Sequence, residues 1–181
     1  MTSAWTIYES PLGPLTLVAG EAGLRRLLFP HDHAPHDVAN RDPEALAAIA
    51  AQLEQYFAGE RRTFDIELDI SGTPFQRAVW DQLLTIPYGS TRSYGELART
   101  IGRPDRARAV GAAVGATPVP IIVPCHRMIG ADGSLTGYGG GLPRKRALLD
   151  LEASMATGQQ CLLQPWSTSQ GASATSAAPS A

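Results

Sequence analysis

Short runs in which apolar residues alternate with polar ones fill the first seventy positions. Trp5–Glu9, Leu15–Ala19 and Leu24–Phe29 are rich in apolar and β-branched residues, and Pro11, Gly13, Pro14, Gly20 and Gly23 separate them. That is the pattern of a β-meander. From Pro43 to Phe57 the period lengthens, and Leu46, Ile49, Ala50, Leu53, Tyr56 and Phe57 fall at helical spacing. Gly59 is the expected stop. Phe64, Ile66, Leu68 and Ile70 then alternate with Asp65, Glu67 and Asp69, which predicts a half-buried strand. Residues 1–70 therefore read as a small α/β (α+β) domain, a small sheet with a helix.

The pattern changes at Ser71-Gly72, the candidate linker. Thr73-Pro74-Phe75-Gln76 has the form of a helix start, with Thr73 as cap, Pro74 in the first position and Gln76 closing a capping box. This helix is expected to run to about Leu84, and Ile86-Pro87-Tyr88-Gly89 to turn. Ser93-Tyr94-Gly95-Glu96 is a second capping box, opening a helix to about Ile101. Gly102-Arg103-Pro104-Asp105 breaks the chain, and Arg106 to about Gly115 forms the next helix with Asp105 as its cap. Two short helices joined by a glycine-containing turn predict a helix-turn-helix. Pro143–Glu152 is a last short helix. Residues 153–181 are mostly Ser, Thr, Ala, Gln and Gly, and a disordered tail is expected there. Three segments result: an acidic α/β domain over 1–70, a mostly helical, winged-helix-like domain over 71–152 that carries the helix-turn-helix, and a tail over 153–181.

Charge sharpens this division. The net charge of the 181 residues is −2, but residues 1–70 hold five Arg/Lys against eleven Asp/Glu, while residues 71–152 hold ten against six. An acidic half joined to a basic half suits a scaffold carrying a surface that meets a polyanion. No apolar run reaches the roughly 18–20 residues that cross a bilayer, so no membrane partner is expected. The first six residues lack a basic stretch followed by an apolar one. Two cysteines, Cys125 and Cys161, are too few for a disulfide framework, and a reducing, cytoplasmic setting is expected.

Two places carry candidate chemistry. On the second helix of the helix-turn-helix, Arg106 and Arg108 stand beside the very small Gly111, Ala112 and Ala113, joining positive charge to a surface that lets a backbone approach closely. Immediately after it comes Ile121-Ile122-Val123-Pro124-Cys125-His126-Arg127. A cysteine behind a β-branched run serves as a small hydrophobe in many cores. Here a proline fixes the backbone before it, and a histidine and an arginine follow, and such groups raise the reactive thiolate fraction. A nucleophile that accepts a group, a Cys-His hydrolase and a DNA-binding protein without chemistry all suit these residues. His31, His33 and His36 are close enough to suggest a metal site, but a polar, proline-containing loop is the simpler reading, and no metal or cofactor is expected. Cys161, in the tail, reads as an incidental thiol.

The wider context is more specific. Pro118-Val119-Pro120 leads into Pro124-Cys125-His126-Arg127, followed by Gly130, Thr136-Gly137-Tyr138-Gly139-Gly140-Gly141 and Glu152. This arrangement closely resembles the O6-alkylguanine-DNA alkyltransferases (methylated-DNA–protein-cysteine methyltransferases). The resemblance spans roughly Trp5 to Glu152 and is densest from Phe75 to Gly141. It implies that Cys125 accepts the alkyl group, that His126 deprotonates it through a bridging water, and that Glu152 orients His126. It also implies that Arg108 enters the duplex in place of an extruded base. Tyr94 helps rotate the nucleotide out and donates a proton toward guanine N3. Tyr138 is a pocket wall, and main-chain groups at Cys125, Met128 and Gly139 meet the guanine edge. The helix Arg106–Gly115 would lie in the minor groove, with Gly111, Ala112 and Ala113 close to the sugar-phosphate walls. The implied partner is double-stranded DNA containing O6-alkylguanine, with O4-alkylthymine a second candidate lesion. The implied state is a monomer that could cluster on DNA. The implied act is a single irreversible transfer that restores guanine. One position departs from the family pattern: Thr117 stands where an asparagine usually braces the turn between helix and active site. A hydroxyl lacks the paired donor and acceptor of an amide, so a weaker brace is expected.

Overall fold

The structure, a computed structural model, describes residues 4–30, 32 and 40–156. Strands β1 (Ala4–Ser10), β2 (Gly13–Ala19) and β3 (Leu24–Leu28) form the predicted meander, and the two-residue β4 (Asn40–Arg41) adds parallel to β1, giving the order β3-β2-β1-β4. The β1–β2 hairpin closes on Gly13, whose φ of 95° favours glycine, and Ser10 Oγ donates to the Gly13 carbonyl at 2.6 Å. Helix α1 (Ala47–Phe57) presents Leu53, Tyr56 and Phe57 to the sheet. It starts four residues later than the periodicity predicts, because Pro43–Leu46 form turns and Asp42 Oδ1 accepts from the Ala45 amide there.

The segment 64–70 keeps its alternation of half-buried apolar and outward acidic residues but is not a strand of the sheet. It touches the outer edge of β3 at one bridge, Leu24 with Leu68, where the Leu24 amide donates to Glu67 O and the Asp69 amide to Leu24 O. Three residues further along β3, that edge is taken instead by Pro118, whose carbonyl accepts from the Leu27 amide at 3.0 Å. No ladder can grow between the two.

Helix α2 (Pro74–Leu84) starts at the predicted capping box, both of whose bonds are formed between Thr73 and Gln76. Strand β5 (Arg92–Ser93) leads into α3 (Tyr94–Thr100), where Ser93 and Glu96 form the second box. Gly102, at φ 68°, turns the chain, and a 3-10 turn over Pro104–Arg106 precedes α4 (Ala107–Gly115). Asp105 lies inside that turn and does not cap α4, whose cap position is Arg106 without a side-chain bond. A second 3-10 turn, Cys125–Arg127, runs into β6 (Met128–Ile129), which pairs parallel with β5. Helix α5 (Leu142–Ala156) continues past Glu152, so the helical body takes in Ala153–Ala156, which the sequence pattern assigns to the tail.

Two apolar clusters hold these elements. One joins Trp80, Val79, Leu83, Leu97, Val110 and Val114 around α2, α3 and α4. The other lies under the sheet, yet it includes Val119, Ile121, Ile122, Leu148 and Leu151 from the second half. The two halves therefore share a core, and the Cys125 segment passes between the clusters. Among the described residues no helix is long and apolar enough to cross a membrane.

Candidate active site

The chain between α4 and the second 3-10 turn is almost wholly buried from Val119 to Met128. Ile121 adopts φ 75°. A β-branched residue in the left-handed region costs on the order of 1–3 kcal/mol, which surrounding packing must offset, and Ile121 is 1% exposed within the shared core. This bend and Pro124 deliver Cys125 to the first position of the 3-10 turn, its amide donating to Val123 O at 2.7 Å.

Glu152, fully buried on α5, organises the residues that follow. Its Oε1 accepts from Tyr56 Oη at 2.8 Å, His126 Nε2 at 2.9 Å and Arg127 Nη2 at 2.8 Å, and its Oε2 accepts from Arg127 Nε at 2.9 Å and the Gly89 amide at 3.0 Å. Burial alone would raise this carboxyl, but the hydrogen bonds and charge from His126 and Arg127 outweigh it and hold it at about 2. Arg127 is likewise saturated, since Nη1 donates to Ile86 O at 2.6 Å.

Burial pushes the His126 imidazole below its ordinary value; Glu152 pulls it back up, and Arg127 and Lys145 oppose that pull. A neutral ring with Nε2–H directed at Glu152 leaves the lone pair on Nδ1. That Nδ1 is buried and has no hydrogen-bond partner among the described residues. Burial raises the Cys125 thiol to about 11, against the opposing effects of a Thr117 hydrogen bond and the Lys145 charge. At neutral pH the thiol is protonated, and its reaction needs a base.

Cys125 lines a cavity of about 240 Å³ whose walls include Thr117, Pro118, Pro120, Tyr138 and Gly139, and, from the other half of the chain, Arg26–Phe29 and Asp32. An adjoining cavity of about 400 Å³ shares Val114, Gly115, Gly137 and Tyr138 and opens beneath Tyr94 and Gly111. The Tyr138 ring packs edge-on against Phe29, centroids 5.8 Å apart. Gly140 allows this: a Cβ there would lie 2.8 Å from both rings. Lys145, the chain's single lysine, is fully buried and donates to Thr136 O at 2.7 Å, tethering the loop that carries Tyr138.

Tyr94 opens α3, and its hydroxyl accepts a long bond from Thr136 Oγ1 at 3.4 Å. Arg106 and Arg108 are exposed at the start of α4, and Ala112 is exposed on it. Ala113 does not share that surface. It is 4% exposed beneath α2, where its carbonyl accepts from Trp80 Nε1 at 2.9 Å, so its small size serves helix packing. Met128 is buried in the second cluster, its amide bonded to Cys125 O, and it lines neither cavity. Thr117 Oγ1 donates to Val114 O at 2.7 Å, closing the end of α4, and meets the thiol as well.

Sequence reasoning missed Tyr56, Gly89 and Lys145, and missed that Arg127 serves Glu152. Tyr56 fell on the apolar face of α1, where its hydroxyl gave no separate signal. That an arginine-rich chain keeps a single lysine was a usable hint. Among the described residues no group of acidic, His or Cys side chains could hold a metal; His31, His33, His36 and Cys161 lie outside the described residues.

Residues 4–70 match the family model of the 6-O-methylguanine DNA methyltransferase ribonuclease-like domain, and residues 74–154 that of the 6-O-methylguanine DNA methyltransferase DNA binding domain. The chain is 56% identical to a methylated-DNA–protein-cysteine methyltransferase of Mycobacterium bovis over 150 residues, covering 82% of this chain and 91% of the relative. It is 48% identical to one from Methanosarcina acetivorans over 153 residues, 83% of this chain and 98% of the relative. The crystal structure of Mycobacterium tuberculosis OGT in complex with DNA superposes with a TM-score of 0.80 at 55% identity, covering 84% of this chain and 94% of the other.

Proposed function

Because the chain belongs to the 6-O-methylguanine DNA methyltransferase family, we propose that it extrudes O6-alkylguanine from duplex DNA and takes the alkyl group onto Cys125, once per molecule. As a member of that family, the chain is a DNA repair methyltransferase acting on DNA. The observation that carries this proposal is the buried Cys125, lining a cavity that adjoins the opening beneath Tyr94, next in the chain to His126, whose Nε2 is held by the buried Glu152.

An alkyl group on O6 lies inside the stacked helix, so the nucleotide must leave the stack, at a cost of a few kcal/mol that a poorly paired base lowers. Arg108 occupies the vacated position in this reading, which its exposure and its lack of a hydrogen bond among the described residues support. Thr117 and Lys145 favour the thiolate, and His126 Nδ1 accepts the thiol proton through a water, leaving an imidazolium that Glu152 stabilises. The sulfur attacks the alkyl carbon and the carbon–O6 bond breaks. Tyr94 donates a proton toward N3 of the departing guanine, so no anion is released. The product is a thioether, which no group in the site reverses.

The test is stoichiometry. Full-length protein incubated with duplex DNA bearing radiolabelled O6-methylguanine should take up one label per chain on the Cys125 peptide, and Cys125→Ser none. Continued turnover with release of methanol would indicate a hydrolase. Tight DNA binding without transfer would indicate a binding protein.

A further inference from the structure

A proton donor must be held at its hydroxyl as well as at its backbone, and Tyr94 is anchored differently at the two ends. Its main chain opens α3 behind the Ser93 cap. Its ring lies beside α4, 3.8 Å from where a Cβ on Gly111 would stand. The hydroxyl has one hydrogen-bond partner among the described residues. Thr136 Oγ1 donates to it at 3.4 Å, in the cavity of about 400 Å³ that both residues line.

Thr136 is itself tied down. Its carbonyl accepts from Lys145 Nζ at 2.7 Å, and Lys145 is fully buried on α5. The Gly141 amide donates to Tyr138 O and the Lys145 amide to Gly141 O, joining the same loop to the start of that helix. The charge of Lys145 also acts on the Cys125 thiol. One buried ammonium therefore serves both the nucleophile and the loop beside the acid. The direction of the hydroxyl bond matters too. A phenol that accepts from Thr136 keeps its own proton for another acceptor. As that proton leaves, a donor on the phenol oxygen steadies the charge that builds there. At 3.4 Å the bond is long, as such bonds commonly are before substrate arrives to tighten them.

Building on the proposed alkyl transfer, we infer that Thr136 is a positioning residue for the reaction. Its hydroxyl, placed by the tether of its own carbonyl to Lys145, aims the Tyr94 proton at the departing guanine. Thr136 gives up no proton and forms no covalent bond in the step. The thiol proton passes to His126, and the sulfur–carbon bond forms as the carbon–O6 bond breaks. The Tyr94 proton goes to N3, and Thr136 keeps its hydrogen bond to the phenol oxygen left behind.

Single-turnover transfer in the full chain tests this with duplexes bearing O6-methylguanine or its 3-deaza analogue, which has C–H in place of N3 and cannot take the proton. Thr136→Val should slow the guanine reaction about tenfold, the worth of one hydrogen bond in the transition state, and leave the 3-deaza reaction within about twofold. Thr136→Ser should restore most of the loss. Both rates are read on one protein sample, so partial unfolding does not change their ratio. Equal slowing on the two substrates would assign Thr136 to the loop or to DNA contact and overturn the inference. So would no slowing on either, or a serine variant as slow as the valine one. A wild-type protein that uses both bases at one rate would remove Tyr94 as the acid, and the inference with it. A wild-type protein that accepts no methyl group at Cys125 would instead sink the alkyl-transfer reading itself.

Discussion

The interior of the site and its exposed rim are built on opposite principles. Inside, Glu152 accepts five hydrogen bonds from four residues, and Arg127 divides its guanidinium between that carboxylate and the Ile86 carbonyl. At the rim, Arg106 and Arg108 are exposed with free side chains among the described residues, and Tyr94 makes one long bond. A buried polar group needs its partners in the folded state. A group that acts on DNA must find its partner on arrival. Folding therefore settles the hydrogen-bond network on Glu152 in advance, while the rim stays uncommitted, and substitutions in the two regions should separate stability from the proposed repair.

The largest effect is expected at Glu152. Glu152→Ala leaves Arg127 as a buried, unpaired charge, a change that costs about 3–5 kcal/mol and lowers the melting temperature of a chain this size by roughly 10 °C. Transfer should fall by about a hundredfold or more, because His126 loses its orienting partner. Calorimetry and single-turnover transfer measure the two losses; an unchanged melting temperature would break the comparison on its interior side. Acid should act on the same residue. Its folded pKa, about 2, lies below its ordinary value of 4.5, so its stabilisation is complete above about pH 4.5 and is lost as pH falls toward 2. His126, whose folded pKa is also depressed, stays neutral to lower pH than a free imidazole. The transfer rate should be level through neutral pH and decline only below about 6.5, and a decline beginning above that value would contradict a neutral His126.

Arg108→Ala should show the opposite pattern. If the arginine holds the nucleotide out of the stack, a process worth a few kcal/mol, repair of duplex DNA should slow roughly ten- to a hundredfold. Reaction with a free O6-alkylguanine base and the melting temperature should barely change. Equal slowing on duplex and free base would remove Arg108 from extrusion.

Gly140→Ala comes next. A methyl group there meets Phe29 and Tyr138 at 2.8 Å, and overpacking of this kind costs about 1–3 kcal/mol. Its mark would be a melting temperature lowered by several degrees together with slower transfer, since the displaced Tyr138 lines both cavities.

How much of this was legible in the sequence follows from the range of each interaction. Capping boxes at Thr73 and Ser93 and the three meander strands are local, and they stand where the pattern placed them. The 64–70 segment had the right alternation but not the partner, because the β3 edge it would have joined is taken by Pro118, fifty residues away in the chain. Cys125 and His126 were recognisable as a dipeptide in context. Glu152 came from family resemblance, and nothing local indicates that it would collect Tyr56, Gly89 and Arg127. Ala113 misled because small residues on a helix serve close packing inside as well as close approach outside, and composition does not distinguish the two faces.

The smallest effect is expected at Thr117, where the interior and the rim meet. Its hydroxyl donates to the carbonyl of Val114 at the end of α4 and also reaches the Cys125 thiol, so one atom joins the end of α4 to the proposed nucleophile. Thr117→Val keeps the shape and removes both contacts. A typical intramolecular hydrogen bond contributes about 0.5–1.5 kcal/mol, so the melting temperature should fall by only a few degrees. Transfer should slow several-fold, because the thiol loses a contact that lowers its pKa. Thr117→Asn separates the two roles. An amide offers both donor and acceptor to the turn, so it should match or exceed wild-type stability while changing the thiol contact. If the Asn variant is more stable but slower, threonine here favours the nucleophile over the brace. If it is more stable and equally fast, the hydroxyl is only the weaker brace, and the rim can be stiffened without cost to the chemistry.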